Sequence, residues 1–155
     1  MAYRVRGLDP DQFAHLFGLS DEGLAKLGAR RRLVADGEGI PDRIGVRELQ
    51  GGETAILLNY VHQPADTPYR ASHAIFIAEG AGAPCDLVDA IPDQMQGKMI
   101  SIRAFGANHE LASADLAVGA ELPPIIARFF DNPDVAYLQA HYARPGCYAA
   151  RIERA

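Results

Sequence analysis

The chain has 155 residues, of which 48% are hydrophobic and 23% are charged, and its 20 acidic and 15 basic residues give a formal net charge of −5. This length and composition predict one globular domain that covers residues 1–155. The acidic balance argues against nucleic acid or an anionic membrane as the partner, because both bind basic surfaces.

The N-terminal part predicts a short strand followed by two short helices. Residues 3–6 alternate between apolar and basic side chains, as a half-buried strand does. Asp9 and Pro10 suit the N-cap and the first position of a helix, and apolar residues between 13 and 17 follow at helical spacing. A second helix is predicted to begin after Ser20 and to end at Gly28.

The middle of the chain predicts strands. Residues 43–49 and 54–61 resemble two strands of a hairpin, because Gly51 and Gly52 supply the positive φ angles of a tight turn. Since residues 55–61 are almost continuously apolar, we expect them to form a central strand that is covered on both faces. Further strands are predicted over residues 32–35 and 74–78.

The C-terminal half predicts strands over residues 99–105 and 110–117, a helix over 122–130, and a final hairpin of residues 135–142 and 147–153 joined by a type II turn at Pro145-Gly146. Short turns between successive strands favour antiparallel pairing. The sequence therefore predicts an α+β fold, mainly an antiparallel sheet with two short N-terminal helices and one helix of the C-terminal half packed on it.

Cysteine usage and hydropathy indicate the compartment. Only Cys85 and Cys147 are present, whereas a secreted disulfide scaffold usually carries more cysteines at closer spacing. The N-terminus lacks the pattern of a signal peptide, and no apolar run approaches the roughly 20 residues of a membrane span. We therefore expect a cytoplasmic protein. A homo-oligomer is possible, but nothing in the sequence indicates one.

Two segments carry the candidate site, residues 59–70 and 140–147. The pattern of each segment predicts the end of a buried strand, where a histidine, His62 or His141, precedes a turn containing proline. Turns on a rigid scaffold commonly present catalytic or binding side chains. Histidine also suits proton transfer near neutral pH, and the alternative is a histidine that only orients its loop through a backbone carbonyl.

Arginines follow both histidines, Arg70 in the first turn and Arg144 in the second. Together with Arg43 and Arg103 they could line a pocket for an anion, because a guanidinium matches carboxylate and phosphate groups. Tyr69 would then orient the substrate. The alternative is that each arginine pairs with a surface acid.

Cys147 flanks the final turn opposite His141, and a cysteine beside histidine or arginine can act as a nucleophile. The preferred interpretation is a small buried hydrophobic residue that closes the hairpin. A metal site formed by His62, His73 and His141 is not supported by their spacing, and the sequence contains no cofactor signature. We therefore predict neither a metal nor a cofactor.

Residues 57–70, Val135-Ala-Tyr137 and residues 141–147 resemble a bacterial family catalogued as domain of unknown function number 1203. The resemblance spans almost the whole chain and implies a single-domain, cytoplasmic bacterial protein. It brings no catalytic residues with it. The family pattern implies a cysteine directly before the equivalent of Arg43, where this chain has Asp42.

Two hypotheses follow. In the first, the protein binds or processes a small anionic ligand in a cleft lined by histidine and arginine: His62, His141 and Cys147 are the candidate catalytic residues, and Arg43, Tyr69, Arg70, Arg103 and Arg144 the candidate ligand-binding residues. In the second, it is a non-catalytic interaction module. A concave polar pocket favours the first hypothesis, and a broad apolar patch favours the second.

Overall fold

The computed structural model describes residues 2–155, and the strands there pair antiparallel in three sheets. The strands are β1 (Tyr3–Arg6), β2 (Arg30–Leu33), β3 (Ile40–Asp42), β4 (Arg47–Leu49), β5 (Thr54–Gln63), β6 (Ala71–Ala78), β7 (Asp86–Val88), β8 (Met99–Gly106), β9 (Leu111–Val118), β10 (Val135–Tyr142) and β11 (Tyr148–Arg154). The helices are α1 (Asp21–Lys26), α2 (Asp93–Gln96), α3 (Leu122–Phe130) and two 3-10 helices, Pro10–Leu16 and Gly119–Glu121. The predicted α+β class is confirmed. No helix within the described residues combines the length and the apolar character needed to cross a bilayer.

The largest sheet has six strands in the order β7-β1-β11-β10-β8-β9. The predicted helix over residues 122–130 is confirmed as α3, and the two prolines after Leu122 lie in its first turn, where backbone N–H groups have no intrahelical partner. Its buried residues Leu122 and Ile126 belong to the same core as Ile102 and Leu138 of the sheet. The main hydrophobic core therefore lies between α3 and the six-stranded sheet.

A second sheet has three strands in the order β2-β5-β6. Its residues Ile56 and Ile77 pack with Phe13 and Leu24 of the two N-terminal helices, which lie where the sequence predicts them. Tyr148 of β11 joins this core from the six-stranded sheet. The side chain of Tyr148 therefore links the two sheets. Through this contact, β5 packs against the β10–β11 hairpin.

The predicted strand over residues 43–49 and its hairpin with residues 54–61 are wrong. Only the last three residues form a strand, β4, which pairs with β3 in a separate two-stranded ribbon, while β5 pairs with β2 and β6. The residues before β4 form a turn because the Asp42 carboxylate accepts the backbone N–H groups of Ile44 and Gly45. A side chain that binds successive amides in this way competes with strand pairing.

The central position of β5 is confirmed, but the expectation that both of its faces are covered is wrong. Ala55 and Ile56 are buried, whereas Asn59 and Val61 near the other end are exposed to solvent. An apolar run alone does not distinguish a strand covered on both faces from a strand with one covered face. His62 lies on the partly buried side of this end.

Asp42 is fully buried, and its carboxylate is bound by backbone amides of two different elements. Oδ1 accepts from the amides of Ile44 at 3.0 Å and Ala78 at 2.9 Å, and Oδ2 accepts from the amide of Gly45 at 2.7 Å. The carboxylate thus connects the ribbon turn to β6. An unpaired buried amide costs free energy, so these three bonds help to hold the turn against the sheet.

The replacement Asp42→Asn tests this connection. One side-chain oxygen becomes an NH2 group that cannot accept from an amide, so at least one buried N–H loses its partner, and we expect the free energy of unfolding in urea to fall by about 2 kcal/mol. The matched control is Asp134→Asn at an exposed position, where the expected change is within about 0.5 kcal/mol. Equal stability of both variants would contradict the structural role of Asp42.

Candidate functional site

A β-bulge in the β10–β11 hairpin decides which side chains face the three-stranded sheet. Gln139 pairs with Arg151, but His141 pairs with Tyr148, because the register shifts between residues 140 and 141. An extra residue in one strand reverses the alternation beyond it. Tyr148, and not Cys147, therefore shares the face of His141 and Arg151.

The histidines that end β5 and β10 meet on this face. The rings of His62 and His141 are 4.8 Å apart between centroids, and both contact the side chain of Gln139. Gln139 Oε1 lies 2.9 Å from His62 Nδ1 and 3.1 Å from His141 Nε2. The Tyr148 ring stacks on His62 at 5.7 Å and meets His141 edge to face at 5.8 Å.

The hydrogen bonds assign the proton of His62. Gln139 Nε2 donates to the backbone oxygen of His62 at 2.8 Å, so Gln139 Oε1 must face the two imidazoles as an acceptor. His62 Nδ1 therefore donates to it, and the neutral ring keeps its lone pair on Nε2. A histidine in this tautomer offers Nε2 as a proton acceptor.

Burial keeps both rings neutral near pH 7. It lowers the pKa of His62, and the positive charge of Arg103 lowers it further, although the bond from Gln139 opposes this shift. For His141, burial, Arg103 and His62 lower the pKa to about 3. Arg103 is the permanently charged group that acts on both rings.

His141 has two acceptors and, when neutral, one proton. Its Nε2 faces Gln139 Oε1 at 3.1 Å and its Nδ1 faces the Gly146 carbonyl oxygen at 3.2 Å. An imidazolium would donate to both, but burial outweighs that gain because His141 is 0% exposed. His141 therefore serves as a fixed, neutral neighbour of His62.

A cleft of about 330 Å³ is lined by His62, His109 and Arg151. Gln63 Nε2 donates to the Tyr137 hydroxyl at 2.8 Å, which leaves that hydroxyl to donate to His109 Nδ1 at 2.8 Å. His109 then carries its proton on Nε2. Its backbone is left-handed, with φ at 63°, a conformation that is sparsely populated outside glycine.

One arginine, Arg151, lines this cleft, and a second, Arg103, lies on the strand next to Gln139. The Arg151 guanidinium lies 3.9 Å from the centre of the Tyr137 ring, and its Nε is 3.2 Å from Glu153 Oε1. Within residues 2–155, no carboxylate lies within 4.0 Å of the Arg103 guanidinium, and burial lowers the pKa of Arg103. Arg103 stands opposite Gln139 on β8, so its charge acts directly on the histidine pair.

Cys147 lies on the other face of the β10–β11 ladder, with Tyr142 and Arg43. Arg43 is 2% exposed, and its Nη2 donates to Cys147 Sγ at 2.9 Å while its Nε donates to the Tyr148 carbonyl at 2.9 Å. Its guanidinium also lies 5.1 Å from the Tyr142 ring centre. Cys147 flanks the turn as predicted but does not share a face with His141, because alternation counted along the sequence does not anticipate the bulge.

The remaining predicted residues do not join the histidines. Arg70 is exposed and its guanidinium donates to the Pro64 carbonyl within its own turn. Tyr69 is 43% exposed, and Arg144 lines a different cavity together with Cys147. The structure thus brings His62, His141 and Arg103 together and separates them from the two turn arginines.

Gln139, Tyr137, His109 and Arg151 were missed as site residues. The alternation of β10 places Tyr137 and Gln139 on the face of His141, and that signal could have identified them. His109 and Arg151 come from distant segments and carry no local signature. In the described part of the chain, no group of three or more His, Cys, Asp or Glu side chains is arranged to hold a metal ion.

The low pKa of His141 predicts how stability depends on pH. The unfolded chain binds a proton at this histidine below about pH 6.5 and the folded chain does not, so the free energy of unfolding falls by ~1.4 kcal/mol per pH unit as the pH drops towards 3. Between pH 7 and pH 5 we expect wild type to lose ~2 kcal/mol more than His141→Gln in urea unfolding. His15→Gln, at an exposed helical position, should follow the wild-type slope, and parallel curves for wild type and His141→Gln would contradict the assignment.

Comparison with known proteins agrees with the resemblance noted in the sequence. A family model described as "Protein of unknown function (DUF1203)" matches residues 39–154, which include both histidines, Arg103 and Cys147. No curated protein and no solved structure matches the chain. The match covers well over half of the sequence, and the chain therefore belongs to the DUF1203 family.

Proposed function

We propose that the protein binds a small anion in the cleft beside His62, and that His62 Nε2 accepts a proton from the bound molecule. The observation that carries this proposal is the shared bond of His62 and His141 to Gln139 Oε1 at the edge of a cleft, with the Arg103 guanidinium close enough to act on both rings. Such a site attracts negative charge and keeps the histidine neutral. A neutral histidine is a competent base.

The donors around the cleft suit an oxyanion. His109 carries a proton on Nε2 and Arg151 carries a guanidinium, and both residues line the cleft together with His62. Arg103 has no carboxylate within 4.0 Å in residues 2–155, so its charge is available to a ligand. Asp66 is the acidic residue of the lining, and it is exposed at the rim, where water screens its charge.

Preorganisation supports proton transfer as well as binding. The orientation of His62 is set by two bonds with Gln139, and the Tyr148 ring covers one face of its imidazole. A base that is held by packing and hydrogen bonds reaches its reactive geometry without reorganisation. Gln139 and Tyr148 are therefore positioning residues, and His62 is the proposed base.

The alternative of a non-catalytic interaction module predicts a broad apolar patch. The large exposed hydrophobic side chains include Leu27, Leu33, Val88 and Leu116, which lie on α1 or its end, β2, β7 and β9. Single exposed hydrophobic residues on different elements are ordinary in soluble proteins. The concave polar cleft favours the ligand hypothesis.

We also infer a bacterial protein of the cytoplasm. Cys85 and Cys147 are both free thiols, which fits a reducing compartment. The bacterial origin rests on the family resemblance.

Phosphate binding followed on the histidine side chains tests the proposed site. In protein labelled with 15N-histidine, we expect sodium phosphate at pH 7 and constant ionic strength to shift the ring signals of His62 and His109 with saturation. His15 is exposed on the first helix and is the internal control, which should not saturate. Long-range 1H–15N spectra resolve these rings individually.

Charge variants complete the phosphate experiment. Arg103→Ala and Arg151→Ala should each raise the Kd for phosphate about tenfold, equivalent to ~1.4 kcal/mol, because each removes a cation near the anion. Arg30→Ala, on the exposed strand β2, is the matched control and should leave the Kd unchanged. Shifts that His15 shares, or a Kd that is the same in all variants, would reject the site.

A further inference from the structure

A second cavity lies on the opposite side of β10 from the histidine cleft. It has a volume of about 520 Å³. Its walls come from the start of β8, the end of β9, β3, and the turn between β10 and β11. Ligand sites for small molecules commonly have volumes of about 300–1,000 Å³. The histidine cleft and this cavity have no lining residue in common.

The charged residues that line this cavity are Lys98 and Arg144, and both are cationic. Behind them lies the Arg43 guanidinium, which is bound to Cys147 Sγ and has no carboxylate within 4.0 Å in residues 2–155. The net charge of the whole chain is −5, so this local excess of positive charge runs against the composition. Such a cavity favours an anionic ligand.

The acids near this cavity leave its charge largely available. Glu48 Oε1 lies 3.5 Å from Lys98 Nζ, and both side chains are exposed, so the pair is weak and screened. Asp42 is buried and does not line the cavity, and its oxygens accept from the backbone amides of the ribbon turn and β6. Its negative charge acts on Tyr142 beside the charge of Arg43, so Lys98 and Arg144 are the cations that remain for a ligand.

The rest of the lining is mostly apolar. Pro41, Met99, Val118 and Pro145 form the walls, and the Tyr142 ring lies between Arg43 and Lys98, which are 5.1 Å and 5.2 Å from its centre. Burial raises the pKa of Tyr142, so its hydroxyl stays protonated and adds no negative charge. A ligand here needs an apolar body in addition to its anionic group.

We propose that this cavity binds a small carboxylate with an apolar body, whose carboxylate lies between Lys98 and Arg144 and whose body packs on Met99, Val118 and the Tyr142 ring. A guanidinium binds a carboxylate through two parallel N–H bonds, and lysine adds a point charge. Inorganic phosphate would leave the apolar walls uncovered. The site is independent of the histidine cleft, and its binding does not rest on the proposed function.

Octanoate is the probe, and methionine methyl groups report where it binds. The chain has three methionines. Met99 lines the cavity, whereas Met95 is fully buried in the core of the six-stranded sheet. In protein labelled with 13C-methyl methionine, we expect octanoate to shift the Met99 signal with saturation and to leave the Met95 signal almost unchanged.

Variants and matched ligands decide the chemistry. Lys98→Ala and Arg144→Ala should each raise the Kd for octanoate about tenfold. The controls Lys26→Ala and Arg30→Ala remove exposed cations elsewhere and should leave the Kd as in wild type. Neutral 1-octanol should bind at least about tenfold more weakly than octanoate, because it lacks the charge that the two cations recognise.

Three results would overturn the proposal. An octanoate titration that does not move Met99 rejects the cavity as a binding site. Equal Kd values for octanoate and 1-octanol, or for wild type and Arg144→Ala, reject the role of the cations. Phosphate that shifts Met99 at the same concentration as octanoate rejects the apolar body as a requirement. Phosphate at concentrations that saturate the His62 signal should not displace octanoate, which separates this site from the histidine cleft.

Discussion

The dipeptide Asp42-Arg43 is the connection on which the arrangement of the sheets depends. Asp42 binds the amide of Ala78, and the backbone N–H of Arg43 donates to the Phe76 carbonyl, so both attach the ribbon to β6 of the three-stranded sheet. The guanidinium of Arg43 reaches the other way, to the Tyr148 carbonyl and the Cys147 sulfur of the six-stranded sheet. A buried guanidinium cannot lose its charge, so these partners must stay in place for the fold to accommodate it.

This connection has a direct consequence for chemistry. With the two sheets held against each other, the end of β5 comes to lie over β10, and His62 reaches Gln139 although the two residues are 77 positions apart. The β-bulge then places Tyr148 in contact with the two histidines and with Tyr60 of β5. The histidine cleft is therefore a product of sheet packing and not of either turn by itself.

The strand β10 also separates two kinds of environment. Its Gln139 lines a polar cleft and its His141 is buried behind Gln139 on the same face, where burial and Arg103 hold the imidazoles neutral. Its Tyr142 faces a mostly apolar cavity with Lys98 and Arg144 at its walls. Alternation along one strand thus places the proposed base and the proposed carboxylate site back to back, and ligands at the two sites would act on the protein independently unless β10 itself moved.

Local signals in the sequence were enough for most of the secondary structure. Helical spacing and first-turn prolines determine α3. The Pro145-Gly146 pair determines the last turn, where Gly146 has φ at 83°. Histidines near the ends of strands indicate candidate site residues. They failed at residues 43–49, because the Asp42 carboxylate turns the chain by binding successive amides, and a propensity pattern does not report where a side chain finds its partners.

The sequence by itself determined the α+β class, the positions of the two N-terminal helices, α3 and most strands, and two histidines of interest, but not α2. Only the tertiary structure decided that His62 and His141 share Gln139, that Arg103 acts on them, and that Cys147 and Arg144 belong to a different cavity. The physical reason is that strand pairing across sheets depends on long-range burial and on single irregularities such as the β10–β11 bulge, which reverse the face of every later side chain without changing the local pattern.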